Sequence, residues 1–166
     1  MIYIVIFALI VAAFAFAGLA GAPYVPIHRR NQAALLNLID LRPGQTLVDL
    51  GSGDGQLLRA AAKRGLHAIG YEINPVMVAV SWLVCWPYRQ RVTIRRANIW
   101  HTTLAPADAI YAFLMPRFMS RLDAKLTAEI KQPTVVISYV FPIPDRTPVK
   151  TGAGSLIYHY PPQPKP

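Results

Sequence analysis

Val48, Asp49, Leu50, Gly51, Ser52, Gly53, Asp54, Gly55, followed by Tyr71, Glu72, Ile73, Asn74, is the stretch whose reading decides the fold. The turn signal Pro43, Gly44 precedes Thr46, Leu47, Val48 and Leu50, an apolar run of the kind that forms a buried parallel strand. After the glycines, Leu57, Leu58, Ala61, Ala62 and Leu66 recur at helical spacing, and Gly65 supplies a stop. His67 to Tyr71 reads as a second strand. It carries Glu72 to the carboxyl edge of the sheet, where open α/β folds bind ligands. Glycines let backbone approach a ligand closely, and a carboxylate at the second strand's tip can accept hydrogen bonds from both ribose hydroxyls.

The glycine spacing separates two classes of cofactor. A dinucleotide fingerprint starting at Gly51 requires glycine or alanine at position 56, and Gln56 stands there. Acid, x, Gly, x, Gly, x, Gly instead resembles the loop of class I methyltransferases, which implies S-adenosylmethionine as cofactor. An ordinary tight turn is the competing reading, and the flanking strands with Glu72 weigh against it. The cofactor set is Asp49, Gly51, Ser52, Gly53, Asp54, Gly55, Glu72 and Ile73, with Asn98 and Ile99 after the third strand. No metal site is expected.

Beyond the loop, strands and helices alternate. Asn31 is expected to cap a helix through Ile39. Pro75 opens another, whose Val76, Met77, Val80, Leu83 and Val84 read as a core-facing stripe. Strands are expected at Val92–Arg95, Ala109–Leu114, Thr134–Phe141 and Leu156–Tyr160, with a helix from Phe118 to Ile130 between two of them. This order predicts an α/β fold with a Rossmann-like, doubly wound parallel sheet, allowing for truncation of its C-terminal strands.

The 166 residues leave room for one such domain. Met1 to Ile27 carry no charged side chain, and Ile2 to Ala20 are almost unbroken apolar residues, long enough as a helix to cross a hydrocarbon core of roughly 30 Å. Residues 1–22 therefore read as a transmembrane anchor, 23–30 as a juxtamembrane linker, 31–160 as the catalytic domain and 161–166 as a proline-rich tail. A cleaved signal peptide is the alternative, but no basic residue precedes the apolar run. His28, Arg29 and Arg30 follow it, so the positive-inside rule gives a single-pass inner- or plasma-membrane protein with its domain in the cytoplasm. A single cysteine, Cys85, excludes an intrachain disulfide. The net charge of +9, with Arg89, Arg91, Arg95 and Arg96 around one strand, suits an anionic lipid surface. Nucleic acid is the less favoured partner, since no recognisable binding module accompanies the charge.

From Pro23 to about Tyr160 the chain resembles the small membrane-anchored methyltransferases related to the ATP synthase c-subunit lysine methyltransferase. The matching features are the apolar first segment, Pro23, Tyr24, Val25, Pro26, the Asp49 to Gly55 loop, Glu72, Asn74, Pro75, Trp100, and Phe141, Pro142, Ile143, Pro144. The resemblance implies a class I fold and methylation of a protein lysine in or beside a membrane. Three positions depart from the family's pattern. Asn98 replaces the acid expected at the adenine, though its amide oxygen can accept the same hydrogen bond. Ile27 replaces threonine, and Gln56 replaces arginine. Phe113, Leu114, Met115, Pro116 occupies the place of the asparagine- or aspartate-Pro-Pro-aromatic signature of amide and base methylation.

Methyl transfer asks little of side chains beyond alignment and the exclusion of water. Desolvation in an apolar channel lowers a lysine's pKa, so no dedicated base is required. Tyr24, Val25, Pro26, Met115, Pro116 and Tyr139 are the channel candidates. The other functional classes are a small-molecule, lipid or RNA methyltransferase and a non-catalytic cofactor-binding scaffold.

Overall fold

In the computed structural model, residues 1–4, 7 and 29–162 are described. Helix α1 (Arg29–Leu38) leads into β1 (Thr46–Leu50), followed by α2 (Gln56–Lys63), β2 (His67–Glu72), α3 (Pro75–Cys85) and β3 (Val92–Arg96). The second half adds β4 (Ala109–Ala112), α4 (Met119–Glu129), β5 (Thr134–Tyr139), β6 (Lys150–Gly152) and β7 (Ser155–Tyr160). The seven strands form one sheet in the order β3-β2-β1-β4-β5-β7-β6. It is a complete seven-strand α/β sheet, without the C-terminal truncation allowed for above.

Strands β1 to β5 pair in parallel, whereas β7 lies antiparallel between β5 and β6. The all-parallel expectation is corrected on this point. Only the turn at Ala153 and Gly154 separates β6 from β7, and a connection that short joins antiparallel neighbours. Both faces of the sheet are covered at its centre, which is why β1 and β4 are buried along nearly their whole length. One face packs Val48, Leu50, Ile110 and Val136 against Leu122 and Leu126 of α4. The other packs Leu47, Tyr111 and Ile137 against Leu35 of α1 and Leu57, Leu58 and Ala61 of α2.

Helix α3 departs from its expected orientation. Met77, Ser81 and Cys85 form its buried stripe, while Leu83 is 78% exposed and Trp82 and Trp86 also face outward. An almost uniformly apolar helix has little amphipathic signal, so packing rather than pattern chooses its inner face.

The single-pass membrane localisation is corrected as well: among the described residues, no helix is long and apolar enough to cross a membrane. The longest described helices, α3 and α4, have 11 residues each, against the ~20 a span needs. Most of the apolar stretch that suggested an anchor, together with Tyr24, Val25, Pro26 and His28, lies outside the described residues, as do 163–166 of the tail.

Candidate functional site

The order of strands reverses between β1 and β4, because successive crossovers run outward from β1 to β2 and β3 on one side and from β4 to β5 on the other. In open α/β sheets, ligands sit beyond the carboxyl ends of the strands at such a switch point. The glycine loop leaves the sheet there. The N–H groups of Gly51 and Ser52 both donate to the Tyr71 carbonyl, at 2.9 and 3.0 Å, which folds the start of the loop onto the end of β2.

Glu72 then fastens the rest. Its Oε2 accepts from the Gly53 N–H at 2.9 Å, and its Oε1 accepts from the Asn74 N–H at 2.7 Å. Asn74 in turn caps α3, its Oδ1 accepting from the Val76 N–H. The Asp54 carboxylate accepts from Gln56 N–H as α2 begins. Each loop glycine has a positive φ: +93° at Gly51, +54° at Gly53 and +77° at Gly55. At Gly55 a side chain would also strike Ser81 Oγ, 2.2 Å from the position of a Cβ. Gly51 is different. Nothing lies within 4 Å of where its Cβ would point, so its left-handed backbone borders open space.

Asp49, at the end of β1, is 3% exposed. Burial first, then the negative charges of Glu72 and Asp54, push its pKa up to about 8. Three carboxylates thus converge on one loop. Ser52 Oγ is buried nearby with no hydrogen-bond partner among the described residues, close against Gly70 of β2. These features fit S-adenosylmethionine. A cationic ligand answers the carboxylates, and the bare Gly51 backbone admits close approach. Asp49 and the loop would hold its amino-acid end and Glu72 the ribose, each Glu72 oxygen keeping a second lone pair.

Ile73 is half-buried directly after Glu72, and Ile99 lies in the core. The Ala97 N–H donates to the Glu72 carbonyl, which places Asn98 beside the same edge. Its Oδ1 accepts from the Trp100 N–H at 3.0 Å and caps a short 3-10 turn, Ile99–His101. Asn98 therefore has a structural task in addition to the adenine contact expected of it.

Of the acceptor candidates, Met115 and Pro116 sit just past β4, and Tyr139 ends β5. Tyr24 and Pro26 lie outside the described residues. Aromatic residues to which the sequence assigns no acceptor role join Tyr139: Phe113 and Phe141 appear there only within motifs, and Tyr111 not at all. Phe113 meets Tyr139 edge-on with ring centres 5.1 Å apart, Tyr111 lies 6.5 Å from it, and Phe141 stacks on Phe113 at 6.3 Å. The period-2 spacings, Tyr111 to Phe113 at the end of β4 and Tyr139 to Phe141 at the end of β5, are the available signal. No group of acidic, histidine or cysteine side chains suited to a metal occurs among the described residues.

Residues 49–150 match a family model described as the ANTKMT methyltransferase domain, beginning at Asp49 itself. The chain belongs to this family. It is a class I, S-adenosylmethionine-dependent methyltransferase domain. The chain is 38% identical over 130 residues to the adenine nucleotide translocase lysine N-methyltransferase of Mus musculus, a match covering 76% of this chain and 56% of that protein. It is 35% identical over 131 residues to the ATP synthase c-subunit lysine N-methyltransferase of Rattus norvegicus, covering 78% of this chain and 60% of that one. The chain thus spans little more than half the length of these relatives. An RNA methyltransferase from Salinibacter ruber, crystallised with S-adenosyl-L-homocysteine, superposes with a TM-score of 0.75 at 26% identity, over 86% of this chain and 97% of that one.

Proposed function

We infer that this chain transfers a methyl group from S-adenosylmethionine to the ε-amine of a lysine in a protein. The observation that carries the reading is the family match over residues 49–150, which takes in both the glycine loop and the carboxyl ends of β4 and β5. Several relatives in this similarity group are named as protein-lysine methyltransferases.

When bound, the cofactor supplies an electrophilic methyl group on a positively charged sulfur. The chain's own contribution is arrangement. Asp49, Glu72 and the loop fix the donor at the switch point, while Met115, Pro116 and Tyr139 border the side from which an acceptor arrives. A neutral amine held in line with the transferring bond gains much of its rate from position alone, as much as roughly 7–11 kcal/mol in favourable cases. Apolar walls favour the uncharged amine, so its proton leaves before attack without a dedicated base.

A second reading, RNA as acceptor, is favoured by the Salinibacter ruber neighbour's name and by the net charge of +9. Incubating the full chain with methyl-labelled cofactor and, separately, purified ATP synthase c-subunit, adenine nucleotide translocase and total RNA distinguishes the two. Label in a lysine of either protein supports the first reading. Label in RNA alone overturns it.

A further inference from the structure

Tyr111 fills core space with its ring, while its hydroxyl is buried with it. It is 2% exposed, and its hydroxyl has no hydrogen-bond partner among the described residues. A buried hydroxyl without a partner is costly, and a site that recognises a polar ligand is one place where that cost is kept. Its position fits such a site. Tyr111 stands one residue before the carboxyl end of β4 and pairs in register with Asp49 of β1, across the switch point.

A second, independent feature lies beside it. Val140 follows β5 with φ +70°, a backbone conformation that a β-branched residue rarely adopts. The Phe141 N–H donates to the Tyr139 carbonyl at 2.9 Å, closing a three-residue turn. Strain of this kind persists where the surroundings enforce it, and it concentrates at functional sites. Here the turn lays Phe141 over Phe113, which in turn abuts Tyr139. Val140 is 49% exposed, so burial of its own side chain does not account for the turn.

We propose that Tyr111, with the aromatic wall of Phe113, Tyr139 and Phe141, is the subsite that receives the acceptor amine. This rests on the lysine reading above and deepens it. The Tyr111 oxygen accepts an N–H from the neutral amine and so orients its lone pair. The ring faces attract the ammonium as it arrives and the methylated ammonium as it leaves. Burial, followed by the Asp49 charge, raises the Tyr111 pKa, which keeps the phenol neutral across the working range.

The test uses the full chain with Tyr111→Phe and Phe113→Ala, the purified protein that takes label above, and butylammonium as a competing cation. Tyr111→Phe is expected to lower kcat about tenfold or more, with affinity for S-adenosyl-L-homocysteine nearly unchanged and the melting temperature equal or higher, because an unpaired buried hydroxyl is removed. Phe113→Ala is expected to raise the acceptor KM and to weaken inhibition by butylammonium. Unchanged kcat in Tyr111→Phe, or equal losses of cofactor affinity and activity, overturns the subsite even if lysine is the acceptor. Label confined to RNA removes the lysine reading. Label on lysine with both variants behaving as wild type removes the subsite alone.

Discussion

Asp49 of β1 and Tyr111 of β4 pair in register at the point where the sheet's strand order reverses. An acid and a phenol, both buried, are therefore neighbours at the switch point.

The first prediction follows from the acid. In the folded chain the Asp49 pKa is raised to about 8, above the 3.8 of an ordinary aspartate. Between these values the folded state holds a proton that the unfolded chain has lost, so this group destabilises the fold progressively as pH rises from about 4 to about 8. Asp49→Asn should therefore gain stability relative to wild type as pH increases through that window, with little difference below it. Urea unfolding at pH 5 and pH 8 reads this directly, and calorimetry should show the same variant losing cofactor affinity.

Glu72 gives the second. Glu72→Gln can keep only one of its two backbone acceptor contacts, since the amide nitrogen cannot accept from an N–H. Leaving a buried donor unpaired costs about 1–3 kcal/mol. The loss should appear both in the stability of the empty protein and in cofactor affinity. A variant that binds normally after losing stability would confine Glu72 to bracing the loop.

Two glycines should differ in whether a methyl group disturbs the ligand or the core. Gly51→Ala places its methyl in open space and pays mainly for a left-handed backbone, about 1–2 kcal/mol, while obstructing the ligand. Gly70→Ala meets Leu58 Cδ1 and Ser52 Oγ, each 2.5 Å from the new Cβ, so overpacking of about 1–3 kcal/mol should fall on stability. Comparing melting temperature with cofactor affinity in the two variants separates ligand space from core space.

Val140→Gly relieves the positive φ at a half-exposed side chain. Strain of this class is worth about 1–3 kcal/mol. The variant should melt at the same or a higher temperature yet turn over more slowly, because Phe141 would no longer be held over Phe113. Steady-state kinetics beside thermal unfolding checks both halves.

The glycine loop was legible because its residue types have few other uses: positive φ at 51, 53 and 55 selects glycine, and a lone carboxylate ending an apolar strand stands out. The strand-helix alternation was legible for the same reason, as two distinct periods. Leu83 was misplaced because an apolar helix has no pattern to read. Strand β6 escaped notice, since three largely exposed residues, Lys150, Thr151 and Gly152, carry no burial signal. The second task of Asn98 depends on where its side chain turns, which no spacing encodes. Tyr111 carries no signal in the sequence, because whether a hydroxyl finds a partner among the described residues depends on the packing around it.

Strand β7 runs against its neighbour, so Tyr160 ends beside Thr134, at the amino end of β5. Strand β7 consequently ends at the floor of the sheet, opposite the carboxyl edge where the donor and acceptor sites are proposed. A fluorophore, affinity handle or surface tether attached after Tyr160 would hang on the far side and leave the working mouth unobstructed, so the protein can be immobilised through that end for binding measurements.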